Sequence, residues 1–428
     1  MTDTISETVA ARTAAAPQPL RRNRQFHALW VGQASSSLGA TVADVAYPLA
    51  ILAATGSPAR AGLFASVQAA AMLLAGLPAG QLADRRSPRQ ILIISETGRA
   101  LVTAAVAAAL VAGWLTFPLL IIAAALLGFG QPVTSAARIL LMRAAVPKEQ
   151  LTQALTLDEV RINGADLAGP PLGAALYGLR ALAHAAPFVF TAGSFVLSLL
   201  SALLIKVSPD RPVSQDRPVR PASAAGQPGG RSGMLVGIKA LWGSPLLRAT
   251  TLLIMTVNTV GAGLTLIAIV ILKDQSVSSA MIGIALACGA VGGLAGAPLV
   301  RPLHRLRPGV LLIAVCLLEV PLFALLAVPD GPWWMAGLLF TSMLGVPSIR
   351  VLLDILILRQ APESERGRVA GAVMTLMGLG MPVGLAATGL LLQYLSAQTA
   401  MLILAGALAA GVLYSVTKRE LWQAGWPR

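Results

Sequence analysis

Eleven charged side chains sit inside long apolar stretches of this sequence, and they are the residues best placed to do chemistry. The acids are Asp44, Glu96, Asp158, Glu159, Asp166, Glu319 and Asp354, and the bases are Arg99, Arg138, Arg161 and Arg350. An ionisable group in hydrocarbon costs at least about 2.5–3.5 kcal/mol on insertion scales, so each must face protein or a watery cavity. Two kinds of chemistry follow. A desolvated acid can take up a proton on one side and release it on the other, and opposite charges can pair. Arg350 and Asp354 stand at i and i+4 on one helix face, which suits a mutual pair. Asp158, Glu159 and Arg161 lie near one end of their apolar run, where long side chains can snorkel, and an ion pair with Arg138, or with Arg99 and Glu96, suits them. Bond-breaking chemistry has no such support. His27, His184 and His304 are scattered, Cys288 and Cys316 are embedded in apolar runs, and no nucleophile–base pair or phosphate-cradling loop occurs. The expectation is a protein that is not an enzyme, with no metal and no cofactor.

The elements that must position these charges are membrane spans. Of 428 residues 56% are hydrophobic and 12% charged, with a mean hydropathy of +0.75, against roughly 25% charged residues in a soluble protein. Crossing about 30 Å of hydrocarbon takes roughly 20 apolar residues. Twelve runs qualify: 26–52, 60–82, 91–113, 117–142, 152–178, 186–206, 246–272, 278–300, 309–328, 332–358, 368–394 and 398–417. The chain therefore divides into an N-terminal tail (1–25), a six-helix half (26–206), a linker (207–245), a second six-helix half (246–417) and a C-terminal tail (418–428). The linker is too rich in Pro, Ser, Gly and charge to fold alone, and Met234 to Trp242 could form a short helix at the membrane surface. Alternating the spans puts both tails and the linker on one side. That side collects 25 of the 32 Lys and Arg residues, against Arg60, Arg180 and Lys273 on the other. It is therefore the cytoplasmic side, and the net charge of +14 needs no nucleic-acid partner to explain it.

An internal repeat supports the two halves. At spacings of about 215 to 220 residues, Gly76, Pro78, Arg85, Pro88 and Ile93 fall on Gly296, Pro298, Arg305, Pro308 and Ile313, and Gly130, Pro132 and Pro147 fall on Gly345, Pro347 and Pro362. The loop between the second and third spans reads GQLADRRSPRQ, in which Gly80, Asp84, Arg85 and Arg89 fit a G-x-x-x-D-R/K-x-G-R/K-R/K pattern, with Ser87 and Pro88 departing from it. Twelve spans in a six-plus-six repeat, a long central loop and this segment resemble the major facilitator superfamily. The opening NRQFHALWVGQASSSLG, the PKEQLTQAL and GPPLG stretches and the GSPLLR segment from Gly243 resemble its branch of macrolide efflux proteins and enterobactin exporters.

That resemblance implies an all-α integral membrane protein of two parallel six-helix halves, with spans 1, 4, 7 and 10 around a central cavity. It implies that the Gly80, Asp84, Arg85 and Arg89 loop latches the cytoplasmic side, and that Gly164, Gly169, Pro170 and Gly173 form an antiporter-like motif suited to a hinge packed against the other half. Three roles suit Asp44: a proton or cation site, which leads, a fixed ion pair, or an acid at a watery rim. Asp166 is the second proton-coupling candidate. Gln33, Tyr47, Gln131, Met255 and Asn258, with Thr256 and Met374, are cavity-lining candidates. The function expected is proton-driven export of a hydrophobic or amphipathic small molecule, such as an antibiotic, drug or siderophore-like metabolite, across the bacterial inner membrane. An importer or uniporter on the same fold is the rival. The partners expected are the small-molecule substrate and the lipid bilayer, with the protein a monomer.

Overall fold

The computed structural model describes residues 20–179, 184–205, 239, 242–299, 302, 307–328, 330–349, 366–418 and 421–422. Arg350 and Asp354 lie outside them, and for Gly80, Asp84 and Arg85 only the backbone is described, in the last turns of α2. The first half holds α1 (Arg24–Thr55), α2 (Pro58–Arg85), α3 (Pro88–Val111), α4 (Phe117–Ala145), α5 (Leu151–Gly178) and α6 (Ala186–Leu204). The second holds α7 (Pro245–Ala262), α8 (Leu264–Asp274), α9 (Ser279–Gly296), α10 (Pro308–Leu326), α11 (Gly331–Met343), α12 (Arg366–Tyr394) and α13 (Ala397–Val416). Among the described residues ten helices are long and apolar enough to cross a membrane, with α7 and α8 together forming one of them. Two expected spans fall outside that set for physical reasons. The run of α5 carries Asp158, Glu159, Arg161 and Asp166, which lowers its hydropathy, and α11 stops after 13 residues at Met343, with a turn at 344–345 before 346–349.

The helices begin where the sequence makes beginning inexpensive. Proline stands in the first turn of α2, α3, α4, α6, α7, α10 and α11, where its missing N–H has no helical partner to lose. Ser57, Ser244, Ser278 and Ser396 cap α2, α7, α9 and α13 by accepting a backbone N–H. Short turns with satisfied amides suit a chain flanked by lipid, which offers the backbone no hydrogen bonds. Large apolar side chains are exposed along the outside, including Leu101, Leu317 and Leu413, while Trp114, Trp333 and Tyr394 stand at one end of the bundle, as an interfacial aromatic belt would.

That end, which also holds the turns at 56–57 and 275–278, is here called the far end; the other, which holds the last turn of α6 and the first turn of α7, is the linker end. Within the first half α1 packs on α5 and α6, α2 on α4, and α3 on α4 and α6. Within the second, α7 packs on α12 and α13, α9 on α11, and α10 on α13. Across the halves the main contacts are α2 with α12 and α5 with α9, and α2 also touches α8. Shifting by the repeat exchanges these two pairs, as a pseudo-two-fold between parallel halves requires.

Both cross-half pairs meet towards the far end. The Ser57 hydroxyl donates to Gln393 Oε1 at 2.6 Å, and the Ser66 hydroxyl donates to the Pro382 carbonyl at 2.7 Å. Between them Gly62 and Gly389 touch backbone to backbone: a Cβ on Gly62 would lie 2.6 Å from the Leu385 carbonyl oxygen and 2.7 Å from Gly389 Cα. On the other side a Cβ on Gly283 would lie 2.6 Å from the Pro170 carbonyl oxygen. The apolar cores agree. The larger contains buried residues of both halves, whereas the smaller, around Phe26, Leu92, Leu141 and Ala202 at the linker end, is built from the first half alone. Gly62→Leu is therefore expected to prevent far-end closure, because no rotamer of the new side chain clears a backbone neighbour. Cysteine labelling at the far end should rise severalfold; labelling equal to the wild type would show that the Gly62–Gly389 contact does not hold the halves together.

One span is broken where the sequence gives no warning. The run 246–272, expected as a single helix, divides at Gly263 into α7 and α8. A Cβ there would sit 1.9 Å from Thr388 Oγ1 of α12, so the break lies where the chain passes close against a side chain of α12.

Candidate functional site

The charges inside the first half form two clusters joined by one residue. Glu96, fully buried on α3, accepts from Ser36 Oγ at 3.0 and 3.2 Å, from Ser198 Oγ at 3.0 Å and from Gln33 Nε2 at 3.1 Å. Arg99, one turn along, lies 3.7 Å from the same carboxylate, donates to Ser36 Oγ at 3.2 Å, and stacks over the Phe195 ring with Cζ 4.1 Å from its centroid. Gly130 makes room for the arginine stem, since a Cβ there would lie 3.1 Å from Arg99 Cγ. A carboxyl group with this many donors is fixed in place, and the pair ties α3 to α1 and α6.

The second cluster ties α5 to α1 and α4. Asp158 is bracketed by two arginines: Arg161 Nε donates to it at 2.8 Å, and Arg138 pairs with its other oxygen. Arg161 also donates to the Gln33 carbonyl at 2.9 Å and to the Ser37 hydroxyl. Gln33 thus touches both clusters, its side chain reaching Glu96 and its carbonyl Arg161. Sequence reasoning places Gln33 in a substrate cavity; the structure instead buries it in this network. The hydroxyls that complete the network, Ser36, Ser37 and Ser198, were missed from sequence, although three consecutive serines at 35–37 inside a span are a visible signal. Glu159, by contrast, is exposed.

The two proton-coupling candidates lie apart from these clusters, on the far-end side, at the crossing of α1 and α5. Thr41 Oγ1 donates to the Ala165 carbonyl at 3.0 Å, which sets Asp44 and Asp166 about one turn apart across the contact, within electrostatic reach of each other. Both are exposed. Each also precedes a proline by four residues, Pro48 in α1 and Pro170 in α5. Proline brings no amide hydrogen, so the backbone carbonyls of Asp44 and Asp166 lose their helical donors. Each position therefore pairs a carboxylate with a freed carbonyl, an acceptor-rich spot on a helix that can bend there. This shared D-x-x-x-P spacing is readable in the sequence but was not singled out.

Next to Asp44 a cavity of about 30 Å³ is lined by Tyr47, Gln68, Arg99, Thr103, Gln131, Thr191 and Phe195, among others. Tyr47 is buried and stacks on Phe64 with ring centroids 4.5 Å apart, while Gln131 is exposed. In the second half Asn258 donates to the Met377 carbonyl at 3.0 Å, tying α7 to α12, and Met255 and Met374 are half-buried. Glu319 finds its partner in Ser342, which donates to it at 2.5 Å.

The glycines of α5 divide in a way the sequence does not reveal. Gly169 and Gly173 face α1, where a Cβ would meet Thr41 Oγ1 at 2.0 Å and the Val42 carbonyl oxygen at 2.6 Å; Gly164 has open space around it. Of the four motif residues, Pro170 does meet the other half, together with Pro171 and Ala174, against Gly283 of α9, whereas Gly169 and Gly173 pack on α1 instead. Arg89 donates to the carbonyls of Ala202 at 3.1 Å and Leu203 at 2.7 Å, capping the end of α6 within its own half.

Known proteins give this geometry a context. The family model described as Major Facilitator Superfamily matches residues 29–346 and 251–424. Among curated relatives, the enterobactin exporter EntS of Escherichia coli O1:K1 / APEC is 24% identical over 389 residues, covering 86% of each chain. The multidrug efflux pump Tap of Mycolicibacterium fortuitum is 26% identical over 369 residues, covering 83% of this chain and 86% of the relative. Among solved structures, the nucleoside transporter NupG superposes with a TM-score of 0.75 at 13% identity over 93% of this chain and 99% of its own. A bacterial homolog of the human lysosomal transporter Spinster, in an inward-facing conformation, superposes with a TM-score of 0.69 at 16% identity over 95% and 97%. With the family model spanning nearly all of its length, the chain belongs to the Major Facilitator Superfamily and is a multi-pass membrane transporter, not an enzyme.

Proposed function

We propose that this transporter exports a hydrophobic or amphipathic small molecule, such as an antibiotic, a drug or a siderophore-like metabolite, in exchange for protons. It works as a monomer of two six-helix halves, twelve spans in all, with the linker and both tails in the cytoplasm of a bacterial cell and the proton gradient as its energy source. The observation that carries this reading is the position of Asp44 and Asp166, exposed at the α1–α5 crossing just beyond the closed far-end seam. In that arrangement the far end is the periplasmic side, and the two halves part towards the cytoplasm.

The cycle follows from these parts. In the inward-open state the cargo enters from the cytoplasm, and the acids release protons there. The halves then rock about the α2–α12 and α5–α9 seams, the far end opens, cargo leaves, and the acids reload from outside. The α2–α3 loop with Gly80, Asp84, Arg85 and Arg89 latches the cytoplasmic side when it closes. Few charges line the cavity, which suits an apolar or cationic cargo with Asp44 or Asp166 as counter-charge, and half-buried Met255 and Met374 offer adaptable walls. Export as the direction is supported by the relatives, an enterobactin exporter and a multidrug efflux pump.

The test is direction of transport. Energised everted membrane vesicles containing the protein should accumulate cargo from a panel of lipophilic antibiotics and dyes, with alkalinisation of the lumen. Accumulation by intact cells instead would favour the importer.

A further inference from the structure

Three buried polar atoms that no hydrogen bond of standard geometry satisfies belong to residues lining one cavity of the first half: Tyr47 Oη, Arg99 Nε and Thr103 Oγ1, the two hydroxyls lying close enough for a weak mutual contact. Their residues are 2%, 7% and 0% exposed. Arg99 Nε bears the full desolvation penalty of an unmade hydrogen bond, and with two under-satisfied hydroxyls beside it this space points to an occupant. The cavity, about 30 Å³, exceeds the roughly 10–15 Å³ that one water needs on this measure. Its wall dictates the chemistry. Arg99 Nε can only donate, and so demands an acceptor. The Asp44 carboxylate can only accept, and so demands a donor. Tyr47 and Thr103 can do either. A cation is repelled by Arg99 and an anion by Asp44, whereas water accepts twice and donates twice.

We infer that this cavity holds a resident water molecule that bridges the Asp44 carboxylate to the Arg99 guanidinium, with Tyr47 and Thr103 as its positioning residues. The inference rests on the reading of Asp44 as a proton site and adds how its charge is felt. Arg99 is then shared. One side of its guanidinium faces Glu96 and Ser36, and its Nε faces the water and Asp44. Loading a proton on Asp44 removes the pull on that side and leaves Arg99 to Glu96. From Glu96 the connection continues through Gln33 to Arg161, Asp158 and Arg138 near the linker end. The charged groups around Asp44 are Arg99 and Glu96 on α3 and Asp166 and Arg161 on α5; α2, α4 and α6 present to the cavity only neutral Gln68, Gln131 and Thr191 as polar groups.

The test uses the full-length protein in lipid nanodiscs, with no cargo. Infrared difference spectra across a pH titration report the carbonyl stretch of protonated carboxyls, and the Asp44→Asn variant identifies the band of Asp44. In Tyr47→Phe combined with Thr103→Val the water loses two of its anchors, and Asp44 loses its bridge to the Arg99 guanidinium. The pH at which the band disappears should then rise by about one unit, a tenfold change in proton affinity. Each single variant should also lower the melting temperature, because a water-bonded hydroxyl is lost. If no titrating band vanishes in Asp44→Asn, the proton-site reading fails and the bridge with it. If the band titrates identically in wild type and double variant, or if removing either hydroxyl raises the melting temperature as deletion of an unpaired group in a dry pocket would, the bridge alone is overturned.

Discussion

Asp158→Asn is expected to be the most destabilising single substitution in the first half. Asp158 is the one acid between Arg138 and Arg161, both of them buried. Neutralising it leaves two guanidinium groups facing each other with little water to screen them. Breaking a buried pair by removing one partner costs about 3–5 kcal/mol, and here one acid serves two bases. The apparent melting temperature in detergent should fall by roughly 10 °C, and Asp158→Glu should recover part of the loss. Adding Arg138→Gln to Asp158→Asn should restore stability, since it removes the stranded charge. A melting temperature for Asp158→Asn within about 2 °C of wild type would show that the arginines find water or lipid headgroups instead.

Asp44→Asn should have the largest effect on transport with little effect on the fold. Asp44 is exposed and makes no ion pair among the described residues, so asparagine fits the site without stranding a charge. Without a titratable group there, a pH gradient can no longer drive cargo outward, and flux in everted vesicles should drop to the passive leak while cargo binding persists. Asp166→Asn, at the neighbouring position on α5, should reduce coupling less. Undiminished pH-driven transport by Asp44→Asn would exclude it as the coupling group.

Much of the scaffold was legible from residue pattern alone. The boundaries of α4, α5 and α12 fall within a few residues of the apolar runs, and the pairing of Asp158 with Arg138 follows from the cost of stranded charge in hydrocarbon. What was not legible has one physical origin. A membrane helix is apolar towards lipid and towards protein alike, so it lacks the one-sided stripe that tells which face of a soluble helix is buried. Gly169 therefore could not be assigned to α1 rather than α9, nor Gln33 to the ion-pair network rather than the cavity. The break at Gly263 was not read because Gly261 and Gly263 only permit it, and the neighbour that occupies the space beside Gly263, Thr388, is more than a hundred residues away. The cavity beside Asp44 draws on five helices, and no window of sequence contains it.

The placement of the ion pairs carries a consequence for how this transporter can evolve. All ion pairs between described residues belong to the first half, while the second half meets it through glycines, hydroxyls and an amide. On the proposed function, the acids that would carry protons then stand in the ion-pair-rich first half, while the second half contributes the adaptable methionine walls of the cargo path. Substitutions among the methionines and small residues of α7 and α12 can broaden or narrow the range of cargo while leaving the proton machinery untouched. Resistance-broadening variants arising under drug selection should therefore accumulate in the C-terminal half.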